Sequence, residues 1–343
     1  MHSAAFNAVS IKRSVSMKKQ FLFLLFVCLS TILYAAGSQD TKEKKVIIAV
    51  VPQQLGNVVF LPAKEGAEQA GKDLGITMEW QAPVRAEAQL QAEVIEGLIA
   101  RNVDGIAISC NHPDALKDVL KLAISKGIIV STFDADSPES GREFYAGTEN
   151  YQAGVTCGEE MLKLFSGTSN TVKVAILEGI PGAFDIESRK SGFLDTIADS
   201  NLEVVYTGAC DDDVDKSVTI VEDYTRANPE IDAWFMAGGW PYIVQPGALP
   251  EMTKWKLSDP ENHKVVTMDV FPSSKAFFDK DLIDVAVGQD FYSMGYLSVE
   301  NLHNLITGGS INGGLKKEGF PGLFIDTGGK IVTPDNYKEE FPE

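Results

Sequence analysis

Apolar and polar residues follow one another along the chain in blocks of two kinds. Residues 46–51, VIIAVV, form an uninterrupted apolar run, the pattern of a strand buried on both faces of a sheet. The next block, AKEGAEQAGKDLG, repeats apolar residues at 63, 67, 70 and 74, the spacing of one helical face. A strand ITMEW, a helix on Leu90, Val94 and Leu98, a strand DGIAIS, a helix through Leu116 and Leu120 and a strand GIIVSTF extend the series. Such a β-α-β-α order predicts a parallel sheet.

FYAGTENYQAG interrupts, and the same grammar restarts. KVAILEG, LEVVYTG, IDAWFMAG and KVVTMD read as strands, and ESRKSGFLDTIAD and VDKSVTIVEDYTRA as helices. The tail adds a strand and a helix within IDVAVGQDFYSMGYLSVENLHNLITGG, then one closing strand, FIDTGGKIV. One core rarely grows past about 250 to 300 residues. Two series therefore predict an α/β protein of two doubly wound parallel-sheet lobes.

The first 36 residues lie outside this grammar. They hold Lys12, Arg13, Lys18 and Lys19, no acidic residue, and then FLFLLFVCLSTILYAAG, which predicts a secretory signal peptide cleaved after Ala35 or Ala36. Met17 is a better start than Met1. Cys28 raises a lipid-anchored alternative, although the bulky Val27 precedes it. Residues 37–44 read as a charged linker. Removing four cations from a formal charge of −18 leaves −22, without the clustered Lys and Arg that a nucleic-acid surface needs. Cys110, Cys157 and Cys210 are too few and too widely spaced for a disulfide framework.

Ligands of open parallel sheets bind outside the carboxyl ends of the strands. In the first series those ends carry Asn57 with Phe60, Ser109 with Asn111, and Asp134 with Asp136. In the second they carry Phe184, Asp185 and Arg189, then Trp240, then Asp269. One cation with carboxylates, amides and rings suits a polyhydroxylated ligand: rings pack on apolar sugar faces, and ionised groups make the stronger hydrogen bonds to hydroxyls.

At these residues the chain resembles the periplasmic sugar-binding proteins of the ribose/galactose type, receptors of ABC importers. In GNVVFLPAKEGA, Asn57 and Phe60 match a ligand-contacting Asn and a stacking Phe, and Asp134 in STFD matches a sugar-binding Asp. DIESRKSGF fits the pattern D-x-x-x-R-x-x-G-F and supplies Asp185 and Arg189; VVTMD supplies Asp269, and VAVGQDFYSMGY supplies Gln289. Four positions depart from ribose binders. Ala135 stands for an arginine, Val59 for a second phenylalanine and Gly238 for an asparagine, and Val214 stands near a lost aromatic. FDADS is instead similar to the D-S-D strand end of autoinducer-2 and rhamnose binders, and Trp240, Phe184, Phe271 and Phe291 could rebuild aromatic walls.

The resemblance implies a type I periplasmic binding protein fold with a three-stranded hinge crossed near 148, 289 and 327. The N-terminal lobe would comprise 45–148 plus 290–326, and the C-terminal lobe 149–289 plus 327–343. It also implies a periplasmic monomer that binds a sugar and docks on an inner-membrane ABC permease, or on a chemoreceptor when the ligand is a signal.

Three other readings compete. Asp134 and Asp136 could hold calcium or cap a loop, but DADSPES lacks the glycine and terminal glutamate of an EF-hand. An enzyme would need chemistry that the scattered His112, His263 and His303 do not supply, and no Walker loop, nucleophile elbow or G-x-G-x-x-G is present, so no cofactor is expected. A repressor of this fold would need an N-terminal helix-turn-helix where the export signal stands.

Overall fold

The computed structural model describes residues 45–317 and 320–341, so the predicted signal peptide and nearly all of the linker lie outside the described residues. The chain forms strands β1 (Ile47–Val51), β2 (Thr77–Trp80), β3 (Gly105–Ile108), β4 (Ile129–Phe133), β5 (Phe144–Gly147) and β6 (Val172–Glu178). These are followed by β7 (Leu202–Ala209), β8 (Ala233–Met236), β9 (Lys264–Met268), β10 (Val285–Gln289), β11 (Leu323–Asp326) and β12 (Gly329–Val332). The longer helices are α1 (Leu61–Leu74), α2 (Ala88–Ala100), α3 (Lys117–Ser125), α4 (Asn150–Leu164), α5 (Phe184–Ile197), α6 (Val214–Ala227), α7 (Pro250–Ser258) and α8 (Phe291–Ile306).

Two six-stranded sheets result, in the orders β2-β1-β3-β4-β5-β11 and β7-β6-β8-β9-β10-β12. Every pairing is parallel except β10 with β12. The central strands are buried from their first or second residue onward, as continuous apolar runs require when helices cover both faces. Between Gly147 and Asn150 the chain leaves the first sheet for α4, which packs on β9 and β10. After Gln289 it returns as α8, against α1 and β4, and between Asp326 and Gly329 it passes back to the second sheet.

The hydrophobic pattern misplaced or missed four features. The interrupting segment is itself a strand and a helix, β5 and α4; its polar TENYQ hides the join. FIDTGGKIV is two short strands in different sheets, separated by a turn with Gly328 at φ 76°. The helix α7 begins at Pro250, which fits a first-turn position. In α2 Leu98 of the expected face is buried, but the other buried residues are Gln91 and Ile95, one position on from Leu90 and Val94. Gln91 is polar because it bridges two strand ends: its Nε2 donates to the carbonyls of Pro52 and Ser109, and its Oε1 accepts from the Asn111 amide.

The lobes touch at the cleft. Phe271 and Ile243 from the second lobe belong to the apolar cluster built on Phe60, Phe133 and Phe291 of the first, and Phe184 meets Phe320 edge-on at 6.5 Å. Among the described residues no helix is long and apolar enough to cross a membrane.

Candidate functional site

Four aspartates at the carboxyl ends of parallel strands adopt left-handed backbone conformations: Asp134 after β4 (φ 58°), Asp211 (φ 53°) and Asp212 (φ 58°) after β7, and Asp269 after β9 (φ 68°). Asp tolerates this region better than most residues, yet it costs about 1 kcal/mol or more. Asp134, Asp212 and Asp269 are buried and act on one another electrostatically, whereas Asp211 is exposed and pairs with Lys216. Asp134 belongs to the first lobe, and the charges that act on it, Asp185, Arg189 and Asp269, all belong to the second.

Arg189 is placed by the crossing of α4 and α5. A Cβ on Gly154 would collide with the Arg189 carbonyl, and one on Gly192 with the Tyr151 carbonyl, so the two helices approach backbone to backbone. This is why the R-x-x-G-F motif carries its glycine; its Phe193 stacks on Phe235 at 4.1 Å. The close crossing lets Arg189 Nε donate to Asn150 Oδ1 at 2.8 Å. Its other nitrogens donate to the Ala237 carbonyl and to Gln289 Oε1, both at 3.1 Å. Gln289 Nε2 in turn donates to Asp269 Oδ1 (2.7 Å), whose Oδ2 accepts from the Gly239 amide (2.8 Å). Asp185 lies in the first turn of α5, where a carboxylate is favoured, and approaches Arg189 at 3.6 Å.

Burial sets the electrostatics. Desolvation, with Asp185 nearby, raises Asp134 to about 7 against the opposing pull of Arg189 and the Ser109 hydroxyl, which donates to Asp134 Oδ2 at 2.8 Å. Desolvation also raises Asp185. It pushes Asp212 well up, reinforced by Asp185 and Asp134. For Arg189 burial works against the charge, but Asp185, Asp269 and Asp134 outweigh it and hold the guanidinium protonated.

The other expected residues fall as follows. Asn57 is half-buried and its Oδ1 caps a short helical turn by accepting from the Val59 amide. Phe60 is buried, edge-on to Phe133 at 6.2 Å and Phe291 at 6.0 Å. Asn111 donates from Nδ2 to the Gln53 carbonyl, and its Oδ1 is buried with no hydrogen-bond partner. Trp240 is 7% exposed, and its indole would lie 2.5 Å from a Cβ on Gly238 and 2.6 Å from one on Gly179. The missing asparagine at 238 thus makes room for this ring.

Asp136 does not join the site. It is fully buried and paired with Arg142 through Nε to Oδ1 (2.6 Å) and Nη2 to Oδ2 (2.5 Å), and it accepts further bonds from Thr132 Oγ1 and the Ser137 amide. The left-handed turn at Asp134 ends the strand alternation, so the residue two positions on points into the lobe. Asp212 was not anticipated. The carboxyl-end rule finds it when applied to β7, whose end reads ACDDD. Asn150 and Gln91, which position Arg189 and Asn111, have no local signature. Cys110, Cys157 and Cys210 are buried and free. Among the described residues no group of three or more His, Cys, Asp or Glu is placed to hold a metal ion.

Two α/β lobes with polar strand ends converging on the cleft between them define a type I periplasmic binding protein. The family model described as a periplasmic binding protein domain matches residues 48–310, and the chain belongs to that family of solute-binding proteins. The ribose import binding protein of Bacillus subtilis is 30% identical over 232 residues, 67% of this chain and 72% of that protein. The xylose/arabinose-binding protein of Sulfolobus acidocaldarius is 23% identical over 82% of this chain and 69% of its own length. An ABC transporter solute-binding protein from Burkholderia graminis, solved in complex with D-arabinose, superposes with a TM-score of 0.74 at 33% identity, covering 85% of this chain and 96% of that one.

Proposed function

We propose that this chain is an exported, non-enzymatic receptor of a sugar ABC importer. It traps a monosaccharide or similar small polyol between its lobes and presents the closed form to a permease. The observation that carries the reading is the convergence of Arg189, Asp185, Asp269 and Gln289 from one lobe on Asp134 of the other. Asp134, Asp185 and Asp269 accept from hydroxyls, the remaining guanidinium N–H groups of Arg189 donate, and Asn57, Asn111 and Gln289 complete the polar shell. Phe60 and Trp240 face the apolar side of the ring. Closure is a hinge motion between residues 45–148 with 290–326 and residues 149–289 with 327–343. The ligands named for the relatives, ribose and arabinose among them, support a sugar of this size.

Thermal unfolding of residues 37–343 across pentoses, hexoses and deoxy sugars tests this. A sugar at 100 times its dissociation constant stabilises by about 2.7 kcal/mol, a clear rise in midpoint. No rise with any carbohydrate overturns the proposal.

A further inference from the structure

Four carboxylates, of Asp134, Asp185, Asp212 and Asp269, share one guanidinium, that of Arg189, across the cleft. Fully ionised, they leave three negative charges in excess. Arg189 brings a single positive charge to the four, and three of its five N–H groups already serve Asn150, Ala237 and Gln289. Asp185 is 5% exposed, and its Oδ1 has no hydrogen-bond partner. The Asp212 carboxylate, 8% exposed, has no hydrogen-bond partner among the described residues, and Asp185 acts on it more strongly than any other charge.

Asp212 is held there by packing. A Cβ on Gly179 would strike both its Oδ1 and the indole of Trp240, so carboxylate and ring crowd over the same strand end. Asp212 is only 8% exposed, and an ion pair made at such a site is stronger than one in bulk water. Buried carboxylates need a partner, and sugar hydroxyls bring hydrogen bonds without charge. Among the described residues no group of three or more His, Cys, Asp or Glu is placed to hold a metal ion. An ammonium group supplies both the charge and three donors for charge-assisted hydrogen bonds to the two carboxylates.

Resting on the receptor reading above, we propose that the ligand is a monosaccharide or small polyol bearing a protonated primary amine, bound between Asp212 and Asp185. Arg189, Asp134 and Asp269 then remain for its hydroxyls.

Titration calorimetry at neutral pH decides this, with D-glucosamine, D-galactosamine, D-mannosamine and 1-amino-1-deoxy polyols set against their neutral parents and N-acetyl derivatives. At least one amine should bind more than tenfold tighter than both its parent and its N-acetyl form. Asp212→Asn should cut that preference ratio at least tenfold, and Asp185→Asn gives a second reading of the same ratio should the first variant fold poorly. Neutral sugars that bind as well as or better than their amines overturn the inference and leave the receptor reading standing. An amine preference that survives both substitutions overturns the assigned residues. Silence with every sugar, neutral or amino, overturns the receptor reading as well.

Discussion

Two buried aspartate–arginine couples can be compared within one molecule. Asp136 and Arg142 meet in a bidentate pair, and both Asp136 oxygens accept guanidinium donors while neighbouring groups fill the remaining capacity. Asp185 and Arg189 stand 3.6 Å apart, with Asp185 Oδ1 unpaired and Arg189 tied to neutral partners. The first couple is complete and serves the fold. The second is built from similar groups but left open, so its remaining bonding capacity is available to something that enters the cleft. What separates the two couples is the satisfaction of the charges, since both are buried.

The largest expected effect would break the structural couple. Arg142→Ala leaves Asp136 charged in the core and should cost about 3 to 5 kcal/mol, read from urea unfolding. A variant as stable as the parent would show that Asp136 is not structural. The open couple should instead make stability depend on pH. Asp134 titrates near 7 in the fold against 3.8 for the unfolded chain, so the unfolded state gives up its proton first. Stability of the ligand-free protein should therefore fall as pH rises from about 4 to 7, by up to about 4 kcal/mol, and Asp134→Asn should flatten the profile. A profile unchanged by that substitution would move the titrating group elsewhere.

Arg189→Ala should weaken sugar binding by at least about 1.5 kcal/mol, more than tenfold, measured by calorimetry. If affinity is unaltered, Arg189 is as structural as Arg142. The smallest effect sharpens the wall of the cleft. Gly238→Ala drives a methyl group into Trp240 and should cost about 1 kcal/mol or somewhat more, with Trp240→Leu in the same chain recovering part of the loss. Failure of the second change to compensate would show that the clash is relieved in another way.

Much of the cleft was legible because strand ends follow from hydrophobic runs, and parallel sheets bring those ends to one side. Asp134, Asp185, Arg189, Asp269 and Gln289 were all named from that rule together with the family motifs. Asp136 was misassigned because a period of two holds only while the backbone stays extended, and Asp134 breaks it with a positive φ. Asp212, the middle one of three consecutive aspartates, was not singled out from the sequence.

The alternation of apolar runs and helical stripes determined by itself that this chain folds as two α/β lobes, because burial on both faces of a strand and on one face of a helix is written locally. The chemistry of strand ends was equally local. Only the tertiary structure decided which carboxylates are neutralised within a lobe and which are left facing the cleft. That choice depends on a guanidinium arriving from six residues away for Asp136, and on a helix crossing, a glycine contact and a second lobe for Asp185 and Asp212. Desolvation and pairing are properties of the space around a charge, and that space is made by residues far apart in sequence.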